Sequence, residues 1–167
     1  MATQKTLGES LREHGVTRRG FLKFCAATAS MMALPPTMTS AIAAALDKAR
    51  RPSVIWLSFQ ECTGCTESLT RSHSPTVENL ILDVISLDYH HTLQAASGDA
   101  AEEARLAAMK ENWGSYLVVV DGSLPGPGSN MGYSTIAGHS NLDILKETVE
   151  GAAAVVAVGT CAAFGGL

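Results

Sequence analysis

Several kinds of residue and pattern are scarce in this chain of 167 residues. Charged residues make up 17% and aromatic residues 5% of it, and its four cysteines are too few for a disulfide scaffold. No apolar run approaches the roughly 20 residues that a membrane-spanning helix needs. Because 46% of the residues are nevertheless hydrophobic, the chain is too apolar for intrinsic disorder and suits one folded domain of ordinary size.

Charge is distributed unevenly along the sequence. Residues 1–45 contain five Lys and Arg against two Glu, a net charge of +3, whereas residues 46–167 contain seven against fourteen acidic residues, a net charge of −7. An acidic body of this kind is a poor partner for nucleic acid, whose binding depends on Lys and Arg. The composition therefore predicts no nucleic-acid partner and sets a basic N-terminal segment apart from the rest.

The N-terminal segment has the order of zones that is typical of an export signal. A polar stretch ends in the residues RRGFLK at 18–23, and an apolar stretch of eleven residues follows at 24–34. The small residues AIAAA at 41–45 then resemble a cleavage site. The paired Arg18 and Arg19 resemble the twin-arginine signal, which directs folded proteins to a dedicated export machinery.

We therefore expect two regions, a twin-arginine signal peptide over residues 1–45 and an exported domain over residues 46–167. Cleavage is expected after Ala45, with Ala43 as the alternative, so that Cys25 leaves with the signal. The apolar stretch is about half as long as a spanning helix, which argues against anchoring by this segment. The other interpretation is an amphipathic helix with a chance pair of arginines.

Apolar stretches and helical patterns alternate in the rest of the chain. The predicted strands are 54–59, 85–89, 115–121 and 153–159, and the predicted helices are near 75–83, at 100–112, and from 141 with its apolar face at Leu142, Leu145 and Val149. Ser74 and Pro75 predict the start of the first helix, and Ser140 predicts the cap of the last. This alternation predicts an α/β fold whose parallel sheet has helices on both faces, of the flavodoxin-like or Rossmann-like kind.

Three cysteines follow predicted strands. Cys62 and Cys65 come after the first strand, and Cys161 comes after the fourth. In such sheets ligands bind beyond the carboxyl ends of the strands. We therefore expect the three cysteines at one rim of the sheet, beside the loop 122–128.

The C-x-x-C spacing of Cys62 and Cys65 admits three kinds of site. A redox disulfide needs only these two sulfurs. A zinc site needs four ligands, and a cubane iron–sulfur cluster needs about four thiolates, so both lack one ligand here. The expected position of Cys161 and the export of a folded protein favour a metal centre, but the spacing alone leaves all three open.

Other features predict no site. His73, His90, His91 and His139 do not have the spacing of the zinc-binding H-E-x-x-H or H-x-x-E-H motifs, and we expect them in loops or at interfaces. The segment 122–132 lacks the glycine pattern of a nucleotide-binding loop. It is interpreted as a flexible loop at the rim.

Several segments are more specific than the cysteine spacing, and together they resemble the N-terminal half of a nickel–iron hydrogenase small subunit. The resemblance runs from the signal peptide to Leu167. Its segments are VIWL at 54–57, ECTGCTES at 61–68, HSPTVEN at 73–79, ISLDY at 85–89, DGSLP at 121–125 and GTCAAFGG at 159–166.

The resemblance implies a flavodoxin-like domain, incomplete in this sequence, that holds a proximal [4Fe–4S] cluster next to the nickel–iron site of a separate large subunit. Cys62, Cys65 and Cys161 then correspond to three of its four ligands. The fourth ligand, the medial [3Fe–4S] cluster and the distal [4Fe–4S] cluster belong to a further part of such proteins. Oxygen-tolerant members carry extra cysteines where Gly64 and Gly166 stand here, which implies the oxygen-sensitive type.

The function implied is that of the electron-transfer subunit of an uptake hydrogenase, an oxidoreductase that converts H2 into two protons and two electrons. Expected partners are the large subunit, an acceptor such as a cytochrome, and the twin-arginine export machinery. The expected location is the periplasm, with possible attachment to the membrane. Glu61 is a candidate for a proton path. The alternatives are an exported thiol-disulfide oxidoreductase that uses Cys62 and Cys65 alone, and a zinc-stabilised binding module.

Overall fold

A computed structural model of the protein describes residues 6–13, 15–31, 33–126 and 131–166. The chain forms two compact units, Met1–Arg51 and Pro52–Leu167. The cleavage positions predicted at Ala43 and Ala45 both lie within a helix of the first unit, Met38–Lys48. Processing at these positions stays a prediction.

The first unit consists of three helices: α1 (Leu7–Glu13), α2 (Arg18–Met31) and α3 (Met38–Lys48). Arg12 forms an ion pair with Asp47 at 3.2 Å and so links α1 to α3. Gly8 allows this approach, because a Cβ at that position would overlap the Asp47 carboxylate. Arg18 and Arg19 begin α2 and are exposed. Among the described helices, none has both the length and the apolarity needed to cross a membrane.

The second unit is an α/β fold around a parallel sheet, as the alternation of strands and helices predicts. The strands of the sheet are β1 (Ser53–Ser58), β2 (Ser86–His90), β3 (Leu117–Asp121) and β6 (Ala154–Val158), in the order β2-β1-β3-β6. A short antiparallel pair, β4 (Thr135–Ile136) and β5 (His139–Ser140), stands apart from it. The helices are α4 (Gly64–Thr70), α5 (Val77–Asn79), α6 (Asp99–Glu111), α7 (Asn141–Glu150) and α8 (Gly159–Phe164).

The local signals for helix starts are confirmed at α7 and wrong at α5. Ser140 caps α7, because its Oγ accepts a hydrogen bond from the Asp143 N–H at 3.2 Å. For α5 the sequence predicts Ser74 as the cap and Pro75 as the first helical residue. The structure instead places the cap at Thr76, whose Oγ1 accepts from the Asn79 N–H at 3.4 Å. The helix then continues as a π-helical turn, Leu80–Val84.

The hydrophobic core of the second unit lies between one face of the sheet and helices α6 and α7. All six residues of β1 are buried, and alternate strand residues supply the core face; the core residues are Ile55, Leu57, Phe59, Tyr89, Ala101, Ala108, Met109, Tyr116, Val118, Val120 and Ile144. The edge strand β6 differs, since Val155 and Val156 are about half exposed, at 53% and 45%. The sheet is thus deeply packed in its centre, and the carboxyl ends of central strand β1 and edge strand β6 lead to the cysteines.

Candidate functional site

The fold brings the three predicted cysteines to one rim of the sheet. Cys62 lies in the loop after β1, Cys65 lies in the first turn of α4, and Cys161 lies in α8 directly after β6. The Cys65 thiol is placed 3.7 Å from the carbonyl oxygen of Val158, the last residue of β6. All three thiols are free, with Cys62 exposed and the other two partly buried. Cys65 and Cys161, with 95 residues between them in sequence, therefore lie at the same rim, as expected for the carboxyl ends of parallel strands.

Glycines make room for the sulfur atoms. Gly159 has φ of +80°, and a Cβ at this position would overlap the Cys65 Sγ. A Cβ at Gly64 would lie 3.1 Å from the Cys62 Sγ, which is closer than ordinary van der Waals contact. A larger side chain at either position would press on a thiol. The loop that carries the cysteines is thus shaped by close approach of backbone to sulfur.

The loop after β1 is tied to the loop after β3. Gln60 and Ser123 exchange two backbone hydrogen bonds, at 3.1 and 2.8 Å. Gly122, the residue before Ser123, has φ of +80°, and a Cβ there would lie 2.7 Å from the Gln60 carbonyl oxygen. The predicted rim loop therefore begins at the cysteine site. Residues 127–130 of this loop lie outside the described residues, so the flexibility expected of the loop stays a prediction there.

Electrostatics at the rim disfavour a thiolate at Cys65. Burial raises the pKa of the Cys65 thiol, and the negative charges of Asp121, Cys62, Glu61 and Cys161 raise it further. These groups therefore all lie within electrostatic reach of Cys65. A cation bound at this place would reverse the balance, since a coordinating metal stabilises the thiolate form.

Glu61 is held next to the cysteines by a polar contact. Its Oε1 accepts a hydrogen bond from the Thr63 hydroxyl at 3.3 Å, whereas its Oε2 is buried with no partner among the described residues. Burial raises the pKa of Glu61, the charge of Asp121 adds to that increase, and the bond from Thr63 opposes it. The carboxyl group therefore takes up a proton more readily than an exposed glutamate does.

The donor set fits an iron–sulfur cluster better than a single metal ion. Across the described ranges, no three His, Cys, Asp or Glu side chains are placed to hold one metal ion. Three free thiols at one rim are the soft ligands that iron–sulfur clusters use, and such a cluster spreads its ligands over several iron atoms. Such a set of thiols could supply three of the roughly four thiolates that a cubane cluster requires.

The expectation that the histidines lie in loops or at interfaces is wrong for His90 and holds for His91, which lies in the turn after β2. His90 ends β2 and is 1% exposed, with its ring stacked on Trp56 at 5.0 Å. The His91 Nδ1 lies against the backbone of Ser58, 2.9 Å from its nitrogen and 2.8 Å from its oxygen. Strand β2 runs one residue beyond its predicted end, which places His90 in the sheet. His73 and His139 are exposed, and His139 lies in the short strand β5.

No role is predicted from the sequence for Asp121, the last residue of β3. Its carboxylate is fully buried, and neither oxygen has a hydrogen-bond partner in the described part of the chain. The sequence does contain a signal for a functional role of Asp121. An acidic residue at the end of an apolar strand of a parallel sheet is expected at the edge where ligands bind.

Comparison with known proteins identifies similar chains. Residues 62–167 match the protein family described as NADH ubiquinone oxidoreductase, 20 Kd subunit. The chain is 45% identical over 157 residues to the hydrogenase-2 small chain of Escherichia coli strain K12. That alignment covers 94% of this chain and 42% of the relative. It is 46% identical over 159 residues to the periplasmic [NiFe] hydrogenase small subunit 1 of Nitratidesulfovibrio vulgaris strain Hildenborough. This alignment covers 95% of this chain and 50% of that relative.

A solved structure has the same fold. The recombinant [NiFeSe] hydrogenase from Desulfovibrio vulgaris Hildenborough in the oxidized state superposes with a TM-score of 0.65 at 40% sequence identity. The superposition covers 71% of this chain and 44% of that one. The chain spans half or less of the length of these curated relatives.

Proposed function

Because this chain belongs to the NADH ubiquinone oxidoreductase 20 Kd subunit family and is similar to hydrogenase small chains over most of its length, we propose that it is the electron-transfer small subunit of a nickel–iron uptake hydrogenase. In this function the partner large subunit carries the nickel–iron centre that splits H2. The observation that carries the proposal is the meeting of Cys62, Cys65 and Cys161 at one rim.

The three cysteines are proposed to ligate the proximal [4Fe–4S] cluster. Bound there, the cluster would accept and donate one electron at a time. The chain's own residues hold it in place, because Gly64 and Gly159 leave room for the sulfurs and the loop pairing at Gln60 and Ser123 fixes the approach of Cys62. The fourth ligand, the medial [3Fe–4S] cluster and the distal [4Fe–4S] cluster are assigned to the further half of such proteins.

Glu61 is proposed to hold a proton at the subunit contact, on a path for the protons that H2 oxidation releases. Two features support this role. Its Oε2 is buried without a partner among the described residues, and burial raises the pKa of the carboxyl group. The variant Glu61→Gln keeps the shape and removes the titrating group, so hydrogen–deuterium exchange by the complex should slow. Unchanged exchange would remove Glu61 from the path.

The proposed setting is the periplasm. Arg18 and Arg19 at the exposed start of α2 support export by the twin-arginine machinery, and one relative is named as a periplasmic enzyme. The electrons are proposed to pass to an acceptor such as a cytochrome, with the complex at the periplasmic side of the membrane.

The two alternative functions account for fewer of the features at the cysteine site. A thiol-disulfide oxidoreductase would use Cys62 and Cys65 alone, yet the fold also delivers Cys161 to the same place. A zinc-stabilised binding module requires ligands grouped around a single ion, an arrangement that the described side chains do not form.

The test compares two cysteine variants of the full-length protein, expressed with its large subunit and purified without oxygen. Cys62→Ser should lose the visible absorption of the proximal cluster and its electron paramagnetic resonance signal, and H2 should no longer reduce an acceptor. Cys25→Ser is the matched control, because this cysteine lies in α2, outside the predicted mature domain. A Cys62→Ser protein with full acceptor reduction would contradict the ligand assignment.

A further inference from the structure

Four buried polar side chains lie on the face of the sheet opposite the hydrophobic core. The Trp56 Nε1, the Ser58 Oγ, the His90 Nε2 and both Asp121 carboxylate oxygens have no hydrogen-bond partner among the described residues. In the register of the sheet, Trp56 pairs with His90 and Ser58 pairs with Asp121, and Trp56 and Ser58 alternate on one face of β1. These four residues, called the Asp121 group below, therefore share a face.

The group contains hydrogen-bond donors and one strong acceptor. The His90 Nδ1 accepts the backbone N–H groups of Thr92 at 3.0 Å and Leu93 at 3.3 Å, so its proton is on Nε2, which is a donor. The Trp56 Nε1 is a donor only, and the Ser58 hydroxyl can donate. Burial lowers the pKa of His90 to about 4 while the charge of Asp121 opposes that decrease, so His90 is neutral and senses this carboxylate.

Unpaired donors and an unpaired acceptor on one buried face are best satisfied by water. Buried polar groups in proteins are almost always hydrogen-bonded, and internal waters usually bond to polar groups that lack a protein partner. Waters that bridge His90, Trp56 and Ser58 to the Asp121 oxygens would satisfy every orphaned atom of the group. A carboxylate that accepts several hydrogen bonds stays ionised even when it is buried.

Asp121 lies within electrostatic reach of Cys65, because its negative charge raises the pKa of that thiol. It is paired in register with Val158 of β6, and the carbonyl oxygen of Val158 is 3.7 Å from the Cys65 Sγ. On its other side, it is paired with Ser58 of β1, four residues before Cys62. The carboxylate therefore stands between the two strands that deliver the cysteines to the rim.

We propose that the Asp121 carboxylate, through its negative charge, lowers the reduction potential of an iron–sulfur cluster held by Cys65 and Cys161. This inference rests on the proposed function. Reduction adds one electron to the cluster, and a negative charge nearby in a medium of low polarity makes that addition less favourable.

The test is a redox titration of the cluster signal in the full-length protein, purified with its large subunit and followed by electron paramagnetic resonance. Asp121→Asn keeps the side-chain shape and removes the charge, so the midpoint potential should shift to a more positive value. Asp121→Glu keeps the charge and should hold the potential near that of the wild type. Asp88→Asn is the matched control: Asp88 is exposed on β2 and accepts from the Ser86 hydroxyl at 2.6 Å, so its charge is screened and the potential should not move.

Infrared spectroscopy covers the case in which Asp121→Asn does not fold. If Asp121 carries a negative charge, the infrared spectrum of the wild type contains no C=O band of a protonated carboxyl group at this residue. No such band should then change frequency when the spectrum of Asp121→Glu is compared with that of the wild type. Such a moving band, or an unchanged potential in Asp121→Asn with an intact cluster signal, would overturn the inference and leave the proposed function standing. A wild-type protein without any iron–sulfur signal would overturn both.

Discussion

Two buried charged groups lie on opposite sides of the same sheet, and they differ in how their polar atoms are satisfied. On the helical side, the Arg105 guanidinium donates to Glu102 at 3.0 Å, to the Thr148 hydroxyl at 2.9 Å and to Glu147 at 2.8 Å. On the other side, the Asp121 oxygens find no partner within the described residues.

We interpret the charge of Arg105 as structural and that of Asp121 as functional, because only Arg105 has hydrogen-bond partners among the described side chains. The Arg105 guanidinium is satisfied by side chains of α6 and α7, so its role is to join these two helices. The described residues leave the polar atoms of the Asp121 group without partners, as is expected where water or a cofactor supplies them. Substitutions and acid test this contrast, and the strongest effect is expected at Arg105.

Removal of the Arg105 charge should cause the largest loss of stability. Arg105→Met leaves Glu102 and Glu147 without their cation and cuts the link between α6 and α7. The free energy of unfolding should fall by about 3 kcal/mol, the lower end of the range for a broken buried ion pair, because both carboxylates keep some contact with water. Chemical unfolding of the purified full-length protein, with and without the substitution, measures this change.

Acid should destabilise the protein through His90. The folded-state pKa of about 4 lies below the usual 6.5, so the unfolded state binds the proton more tightly. The stabilisation is present above about pH 6.5 and is lost as the pH falls toward 4, by roughly 3 kcal/mol in total.

The measurement is the free energy of unfolding at several pH values in wild type and in His90→Gln, which cannot titrate. The variant should show a shallower decrease between pH 6.5 and 4. Parallel curves for the two proteins would show that His90 does not titrate with this shift. Acid damage to a bound cluster affects both proteins and cancels in the comparison.

Replacement of Glu147 should have the smallest effect. Its side chain is 51% exposed, against 4% for its partner Arg105, and Arg105 keeps Glu102 and Thr148 as partners when Glu147 is neutralised. Glu147→Gln should therefore lower the free energy of unfolding by less than about 1 kcal/mol. A loss as large as that of Arg105→Met would mean that this pair, and not the whole network, joins the helices.

The parts of the fold that the sequence predicts are those encoded by short local patterns. Strands β1, β3 and β6 are mostly apolar runs, β2 alternates apolar and polar residues, and the Ser140 cap is specified by residues within one helical turn. The convergence of Cys65 and Cys161 was also predictable, because the carboxyl ends of parallel strands always meet at one rim.

The parts that escaped prediction depend on pairing between distant strands. The burial of His90 depends on its register partner Trp56, and the isolation of the Asp121 oxygens depends on which side chains of β1 and β2 share its face. No local pattern contains that information. The start of α5 was misplaced for a different reason: Ser74 and Thr76 both offer capping hydroxyls, and only the three-dimensional turn selects Thr76.

The most direct test of the central claim is the effect of Cys161→Ser on the full-length protein, expressed with its large subunit and purified without oxygen. Cys161 is the residue that separates a metal centre from a two-cysteine redox site, since Cys62 and Cys65 remain intact. The proposed function predicts loss of the proximal-cluster signal and of acceptor reduction by H2. A variant that keeps the wild-type iron content, signal and acceptor reduction would contradict the claim that the rim of the sheet holds an iron–sulfur cluster through all three cysteines.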